Sequence, residues 1–308
     1  MLSSIRFEVP RYLQERISRS DTIPMAVAGA DNLIPLKSAY QATQAGLINP
    51  TLIGNAGEIN ALANTIDWNL SGLEIINTKS EEETSTVAVE LAKSGDVRAL
   101  MKGHVHTDTL MKAVINRNDG LLIGRRLSHI FHMTVPQSKR VLMITDGAIN
   151  VAPNVETKVH IINNSVQLAH ALGNTTPHVA VLSGTEAVID SMPSSVEAAE
   201  VVKRAKNGAV TGAIVDGPFA FDNAVSSEAA KIKGVRSPVA GRADVLVVPN
   251  IEMGNGLFKM MVYFMSGLAA GIVMGAKVPI VLTSRADPPE ARFAATAIAA
   301  LVAKDNVN

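Results

Sequence analysis

The chain has 308 residues, of which 47% are hydrophobic and 18% charged, so it carries enough apolar material for more than one core and exceeds the usual size of a single domain. Its 28 basic and 28 acidic side chains cancel, which argues against a general attraction to nucleic acid or anionic membranes and leaves anion binding as a local matter. The absence of cysteine excludes disulfides, thiolate zinc sites and a cysteine nucleophile, and 4% aromatic residues are too few for a platform on which single-stranded nucleic acid would stack.

The N-terminal stretch carries Arg6, Arg11, Arg16 and Arg19 without an apolar run of signal-peptide length. No later apolar run reaches the roughly 18 uninterrupted residues of a membrane span, so a cytoplasmic protein without membrane attachment is expected. From about residue 24 short apolar runs alternate with helical stretches, the pattern of β-α units that build largely parallel sheets. Strands are predicted at 25–28, 51–53, 74–76 and 97–101, then at 141–145, 179–182, 212–215, 245–248 and 279–283. Ser80 with Glu83 and Ser194 with Glu197 read as capping boxes that open helices. Residues 116–139 break the rhythm around one possible strand and place a domain change near residue 130.

Neither nucleotide fingerprint, G-x-G-x-x-G or G-x-x-x-x-G-K-[ST], occurs in the chain. The run Lys102-Gly103-His104-Val105-His106-Thr107-Asp108 stands between a strand and a helix and admits three readings. These are a metal site through His104 and His106, a helix cap by Thr107 or Asp108 with incidental histidines, and a phosphate or substrate contact by Lys102 and His106. Arg125 and Arg126 read either as a clamp on a phosphoryl group or as a solvated turn. His129, His132, His160, His170 and His178 show no partner pattern and read as structural or surface residues. The loop after the strand at 245–248 contains Gly254, Asn255 and Gly256, whose glycines permit close backbone approach to a ligand, and Lys259, placed one turn into a helix, is within reach of a phosphate.

Residues 278–294, V-P-I-V-L-T-S-R-A-D-P-P-E-A-R-F-A, carry the densest signal. A strand is followed at once by Ser284 and Arg285, and Asp287, Pro288 and Glu290 fall at the expected N-cap, N1 and N3 positions of a helix. A strand's carboxyl end beside a helix N-terminus is where α/β proteins hold anions. The bland alternative is a plain strand-to-helix turn with a surface arginine.

Taken together, M-K-G-H-V-H-T-D-T-L (101–110), I-T-D-G-A-I-N-V-A-P (144–153), D-G-P-F-A-F-D-N-A (216–224), S-P-V-A-G-R-A-D-V-L-V-V-P (237–249), G-N-G-L-F-K (254–259) and V-L-T-S-R-A-D (281–287) resemble the phosphate acetyl/butyryltransferase family. The resemblance runs from about residue 24 to the end. Its wording is most similar to the butyryl-type branch and to the acyltransferase part of bifunctional enoyl-CoA hydratase/phosphate acetyltransferase proteins. The resemblance implies an α/β fold of two α/β/α domains, similar to isocitrate and isopropylmalate dehydrogenases, with the active cleft between them. Residues 1–130 with 277–308 would form the first domain, carrying the Ser-Arg motif, and 131–276 the second, a cleft wall with the dimer contact. It further implies reversible transfer of a short acyl group between coenzyme A and phosphate in a homodimer or higher homo-oligomer, with coenzyme A as a substrate and with neither cofactor nor metal.

Ser284 and Arg285 match the family's Ser-Arg motif, in which the arginine holds phosphate and the serine steadies the reacting groups. Acetyl-type members have an aspartate where Ala291 stands here, leaving Asp287 or His106 to accept the thiol proton. A family arginine after the His-Thr motif is Lys112 here, a point charge in place of a fork. Lys102, Thr107, Lys112, Arg126, Asn255 and Lys259 complete the expected substrate contacts. Two other functions compete: a metal- and NAD-dependent decarboxylating dehydrogenase of the same fold, which needs a cluster of carboxylates, and a sensor of coenzyme A or acyl phosphate that has lost turnover.

Overall fold

A computed structural model describes residues 5–17, 22–136, 138–284 and 286–305. In chain order its elements begin α1 (Arg11–Ile17), β1 (Ile23–Ala28), α2 (Leu33–Gln44), β2 (Ile48–Gly54), α3 (Ala56–Asn64), β3 (Glu74–Asn77), α4 (Glu81–Ser94), β4 (Ala99–Lys102) and α5 (Thr107–Val114). They continue with β5 (Ser128–Thr134), β6 (Leu142–Thr145), α6 (Val155–Ala171), β7 (His178–Leu182), α7 (Pro193–Arg204), β8 (Ile214–Phe219), α8 (Phe221–Val225), α9 (Ser227–Ile232), β9 (Val245–Val247) and α10 (Ile251–Met265). Then β10 (Leu268–Met274), β11 (Ile280–Val281) and α11 (Pro289–Asp305) follow. The chain divides into two compact units: Phe7–Arg125 with the chain from Ala270, and Arg126–Ala269 with Ile5 and Arg6.

In the unit that holds both ends of this division, the strand order is β3-β2-β1-β4-β11-β10. The first five run parallel, and β10 pairs antiparallel with β11. The β1 residues Met25, Ala26, Val27 and Ala28 are fully buried, as a central strand covered on both faces requires. Helix α11 is alanine-rich and buried along nearly its whole length from Ala291 to Ala303, small side chains letting it lie close to its neighbours.

The other unit pairs β5-β6-β9-β7-β8, antiparallel at β5–β6 and parallel beyond it. Its core gathers Met133, Ile144, Leu182, Phe219 and Leu246. Met253, Leu257 and Met261 of α10, spaced by one helical turn, pack against that cluster. Lys158 on α6 is 2% exposed and forms an ion pair with Glu197 on α7. Cutting off the carboxylate would strand a buried ammonium, a loss of about 3–5 kcal/mol in such pairs.

Several expectations are corrected. Strand β10 is absent from the sequence reading because L-A-A-G-I-V-M has no alternation and follows α10 directly; the break is Ser266, left-handed at φ 49. The box at Ser80 forms by half: the Ser80 hydroxyl accepts the Glu83 N–H at 3.2 Å, but the Glu83 carboxylate accepts the Lys79 N–H at 2.7 Å, one residue before the cap. The box at Ser194 does not form: Pro193, pre-set for helix, starts α7 two residues earlier with Met192 at the N-cap, Ser194 bonds Ser183 at 2.9 Å, and Glu197 serves Lys158 instead. The strand predicted at 212–215 runs instead from Ile214 to Phe219 as β8, so Asp216, Gly217 and Pro218 lie inside it.

The stretch 254–256 is not a loop, because Asn250 caps α10 by accepting the Met253 N–H at 3.0 Å and the helix begins at Ile251. Lys259 therefore stands deep in the helix. Gly254 instead lets α10 settle on the preceding loop: a Cβ there would lie 2.6 Å from the Asp146 carbonyl oxygen and 2.9 Å from Gly147 Cα. Backbone atoms cannot yield like a flexible side chain, so Gly254→Ala is expected to cost about 1–3 kcal/mol. A thermal melt should show a correspondingly lower Tm, and an unchanged Tm would mean that α10 shifts freely.

Candidate active site

Pairing of β4 with β11 places two distant segments side by side: Leu100 is in register with Ile280 and Met101 with Val281. Both strands exit at the same end, so Lys102, Gly103 and His104 meet Thr283 and Ser284 there. The turn after β4 is pinned to the exit of β1 by two short backbone bonds, Gly103 N–H to Ala28 O at 2.7 Å and His104 N–H to Gly29 O at 2.8 Å. A Cβ on Gly103 would stand 2.3 Å from the Gly29 oxygen, so this approach requires glycine. The start of α2 supplies a third wall, with Asn32 capping the helix by accepting the Ile34 N–H at 3.1 Å. Together they line a pocket that is open on one side to solvent.

Ser284 lies on this pocket and is exposed; Arg285 lies outside the described residues. Asp287 is not the helix cap that its spacing suggests. Its carboxylate turns back to accept the Ser284 N–H at 2.7 Å, and α11 starts at Pro289, two consecutive prolines delaying the helix by a residue. Burial raises the Asp287 carboxyl above its ordinary value, a rise opposed by the Ser284 N–H and by the nearby Arg292 charge.

Arg292 is the residue that sequence reasoning missed. Its Nε donates to Ser38 Oγ at 3.1 Å and its Nη1 to the Asp287 carbonyl, and the half-buried guanidinium lines the pocket beside Ser284. Burial lowers its pKa, opposed by Asp287 and Glu290, without bringing an arginine near neutrality. A signal was present: side chains in a helix lean toward its N-terminus, so a cation in the first turn of α11 faces the loop that precedes it.

The remaining predicted residues separate. Lys102 is on the pocket, its Nζ donating to the carbonyls of Gly103 at 3.2 Å and Val105 at 3.0 Å. His104 lies on the pocket too, whereas His106 faces Glu81, with Nδ1 at 2.8 Å from Oε2 and its N–H donating to the same oxygen at 2.9 Å. Those contacts, the backbone bond foremost, hold the Glu81 carboxyl below its usual value. His106 is itself the N-cap position of α5, so Thr107 and Asp108 are helical residues and do not cap it. Lys112 is exposed on the last turn of α5, away from the lining of this pocket. Among the described residues no group of three His, Asp or Glu side chains gathers as a metal-ligand set.

Arg126, Asn255 and Lys259 belong to the other unit. The Arg126 N–H donates to His160 Nδ1 at 3.0 Å, Asn255 Nδ2 donates to Gly147 O at 3.4 Å, and Lys259 is exposed, its Nζ 6.0 Å from the Phe258 ring. Nearby, Asp146 is 1% exposed and organises its own loop, accepting the N–H groups of Ala148, Ile149 and His129 at 2.9, 3.0 and 3.1 Å. The I-T-D-G-A-I-N motif is thus a carboxylate-centred turn on which α10 rests. His170 and His178 also have structural partners, Gly212 O at 2.8 Å and Asp244 at 3.4 Å.

Comparison with known proteins matches residues 80–300 to the family model described as Phosphate acetyl/butaryl transferase. The chain is 43% identical over 287 residues to a phosphate acetyltransferase of Rickettsia prowazekii (strain Madrid E), covering 89% of this chain and 82% of that protein. It is 40% identical over 294 residues to a phosphate butyryltransferase of Clostridium beijerinckii, covering 96% and 97%. The crystal structure of a branched-chain phosphotransacylase from Enterococcus faecalis V583 superposes with a TM-score of 0.79 at 31% identity over 92% of this chain and 99% of that one. A putative 4-hydroxythreonine-4-phosphate dehydrogenase from Salmonella typhimurium, at TM-score 0.60 and 13% identity over 91% of this chain and 99% of that one, shares the fold alone. On sequence and structure together, the chain belongs to the phosphate acetyl/butyryl transferase family.

Proposed function

We propose that this chain transfers a short acyl group reversibly between coenzyme A and inorganic phosphate by direct attack within a ternary complex. The observation that carries the reading, beyond family membership, is the convergence of Ser284, Asp287 and Arg292 at the end of β11. In the direction of acyl-CoA formation, the coenzyme A sulfur attacks the carbonyl carbon of an acyl phosphate. A C–S bond forms, the C–O bond to phosphorus breaks, phosphate departs with the electron pair, and the thiol proton passes to a base. Holding both substrates in line supplies much of the rate, and cations aimed at the departing oxygens supply more. Arg285 neutralises the leaving phosphate in this reading, Ser284 hydrogen-bonds near the reaction centre, and Arg292, with Lys102, adds positive charge on the pocket wall.

Asp287 is the proposed proton acceptor. At the position of the acetyl-type aspartate this chain has Ala291, 1% exposed, where a carboxylate would be buried, while Asp287 sits against Ser284 and burial makes it more basic. His106 is the alternative acceptor. Lys112 and Arg126 assist phosphate binding in this proposal, and Thr107, Asn255 and Lys259 contact the rest of coenzyme A. The reaction calls for neither separate cofactor nor metal, and the enzyme is proposed to work as a cytoplasmic homodimer or higher homo-oligomer. Among the described residues no helix is long and apolar enough to cross a membrane.

Purified protein is expected to release free coenzyme A from a short acyl-CoA only when phosphate is supplied, without NAD or divalent metal. Initial-rate lines at several fixed concentrations of the second substrate should intersect; parallel lines or a trapped acyl-protein adduct would contradict direct transfer.

Arg285→Ala is expected to lower kcat at least about a hundredfold, because a contact that strengthens as charge develops on phosphate is worth roughly 3 kcal/mol. Arg285→Lys should recover only part, since the ammonium keeps the charge and loses the fork. Folded variants that keep more than about half of wild-type turnover would move the phosphate site to Lys102, Lys112 or Arg126.

The raised carboxyl of Asp287 sets two opposite expectations for Asp287→Asn. The folded state favours its protonated form, so the stability it contributes is present below its ordinary pKa and lost as pH rises through the higher folded value. At neutral pH the asparagine variant should therefore melt at the same temperature or higher. Its kcat should fall and lose an acid limb that, in wild type, lies above the ordinary aspartate value. Wild-type kcat in this variant would transfer the proton to His106 or solvent.

A further inference from the structure

The pocket at the ends of β4 and β11 has a floor and a rim of different chemistry. Met101, Val281 and Thr296 are 3%, 1% and 0% exposed and form its deep side, whereas Ile34, His104 and Ser284 are exposed at its mouth. Met101 and Val281 are register partners on adjacent parallel strands and so lie side by side. Both floor hydroxyls are already used. Thr296 Oγ1 donates to Arg292 O at 2.9 Å, and Ser38 Oγ donates to Ile34 O at 3.0 Å while accepting from Arg292 Nε at 3.1 Å.

A carbonyl placed on this floor would find no free hydroxyl proton and would lose its hydrogen bonds to water, at a cost of about 1–3 kcal/mol per group. That argues against the pantetheine arm with its two amides. An aliphatic chain loses nothing and gains roughly 0.8 kcal/mol per buried methylene. Ile34 is 41% exposed at the first turn of α2, and an acyl chain entering the mouth would give this unpartnered isoleucine an apolar contact.

We infer that this pocket receives the acyl chain, with its carbonyl at Ser284 and its phosphoryl group toward Arg292, and that Ile34 at the mouth and Met101 at the floor set the chain length accepted. The inference rests on the acyl-transfer reaction proposed above and adds to it the specificity determinants, since family membership leaves chain length open between acetyl and butyryl.

The test compares kcat/KM for acetyl-, butyryl- and pentanoyl-CoA, with phosphate saturating, in wild type, Ile34→Trp and Met101→Ala, with melting temperatures for each. Ile34→Trp, an exposed position that the fold tolerates, narrows the mouth and should lower the butyryl-to-acetyl ratio at least about tenfold, the scale on which a pocket senses one or two methylenes. Met101→Ala deepens the floor and should raise the pentanoyl-to-butyryl ratio by about the same factor. A general loss of rate with unchanged ratios is what a merely structural role would give. If wild type shows phosphate-dependent turnover and Ile34→Trp, folded, leaves the ratio within about twofold, the acyl chain binds elsewhere and the reaction stands. Wild type without phosphate-dependent turnover would remove the reaction and this inference together.

Discussion

Two registered residue pairs, Leu100 with Ile280 and Met101 with Val281, are the constraint on which the candidate site depends. They join residues separated by most of the chain, and the entropy of closing so long a loop must be met by contacts elsewhere. β11 is too short to meet it alone. The compensation comes from α11, whose face from Ala291 to Ala303 is buried, and from the backbone bond between Leu100 N–H and Pro279 O at 3.1 Å. Anything that loosens α11 therefore loosens the alignment of Ser284 with Lys102, even when no pocket residue changes.

The same helix links fold to electrostatics. Arg292 is both a packing element, tied to Ser38 on α2, and the cation on the pocket wall. Its two anchors, Ser38 Oγ and the Asp287 carbonyl, fix the guanidinium plane before any ligand arrives, so little side-chain entropy remains to be lost on binding. Asp287 meanwhile spends its carboxylate on the Ser284 N–H, which orients the serine turn and leaves an acidic group beside the Arg292 charge.

Much of this was legible in the chain itself. The apolar runs at 25–28, 51–53 and 245–248 sit within or against β1, β2 and β9, because buried parallel strands must be continuous hydrophobic segments between turns. Ser284 was readable at a strand end for the same reason. β10 was not, since a fully buried strand without alternation following a helix offers no change of period to detect. Local rules also misled where a stronger local rule intervened: Pro193 displaced the Ser194 cap, the paired prolines displaced the Asp287 cap, and Asn250 started a helix through glycines that read as a loop. The Arg292 contact with Ser38 joins α11 to α2 and is set by tertiary packing, which no spacing encodes.

A chain with equal numbers of acidic and basic residues can still bind a doubly charged anion if its cations are gathered and its acids are occupied. That division is visible around the pocket. Lys102 and Arg292 line it, while several carboxylates on the surrounding segments are engaged: Asp287 with the Ser284 amide, Glu81 with the amide and ring of His106, and Asp31 with the Asn55 amide at 3.0 Å. A backbone N–H that solvates such an acid leaves its charge in place but fixes where its oxygens point, and no lysine or arginine is consumed as its partner. Backbone amides at loop and helix starts are the donors that α/β topology supplies in surplus at the carboxyl ends of strands. Around this pocket the acids lean on amides, whereas elsewhere pairs such as Lys158 with Glu197 and Lys233 with Asp222 join base to acid directly.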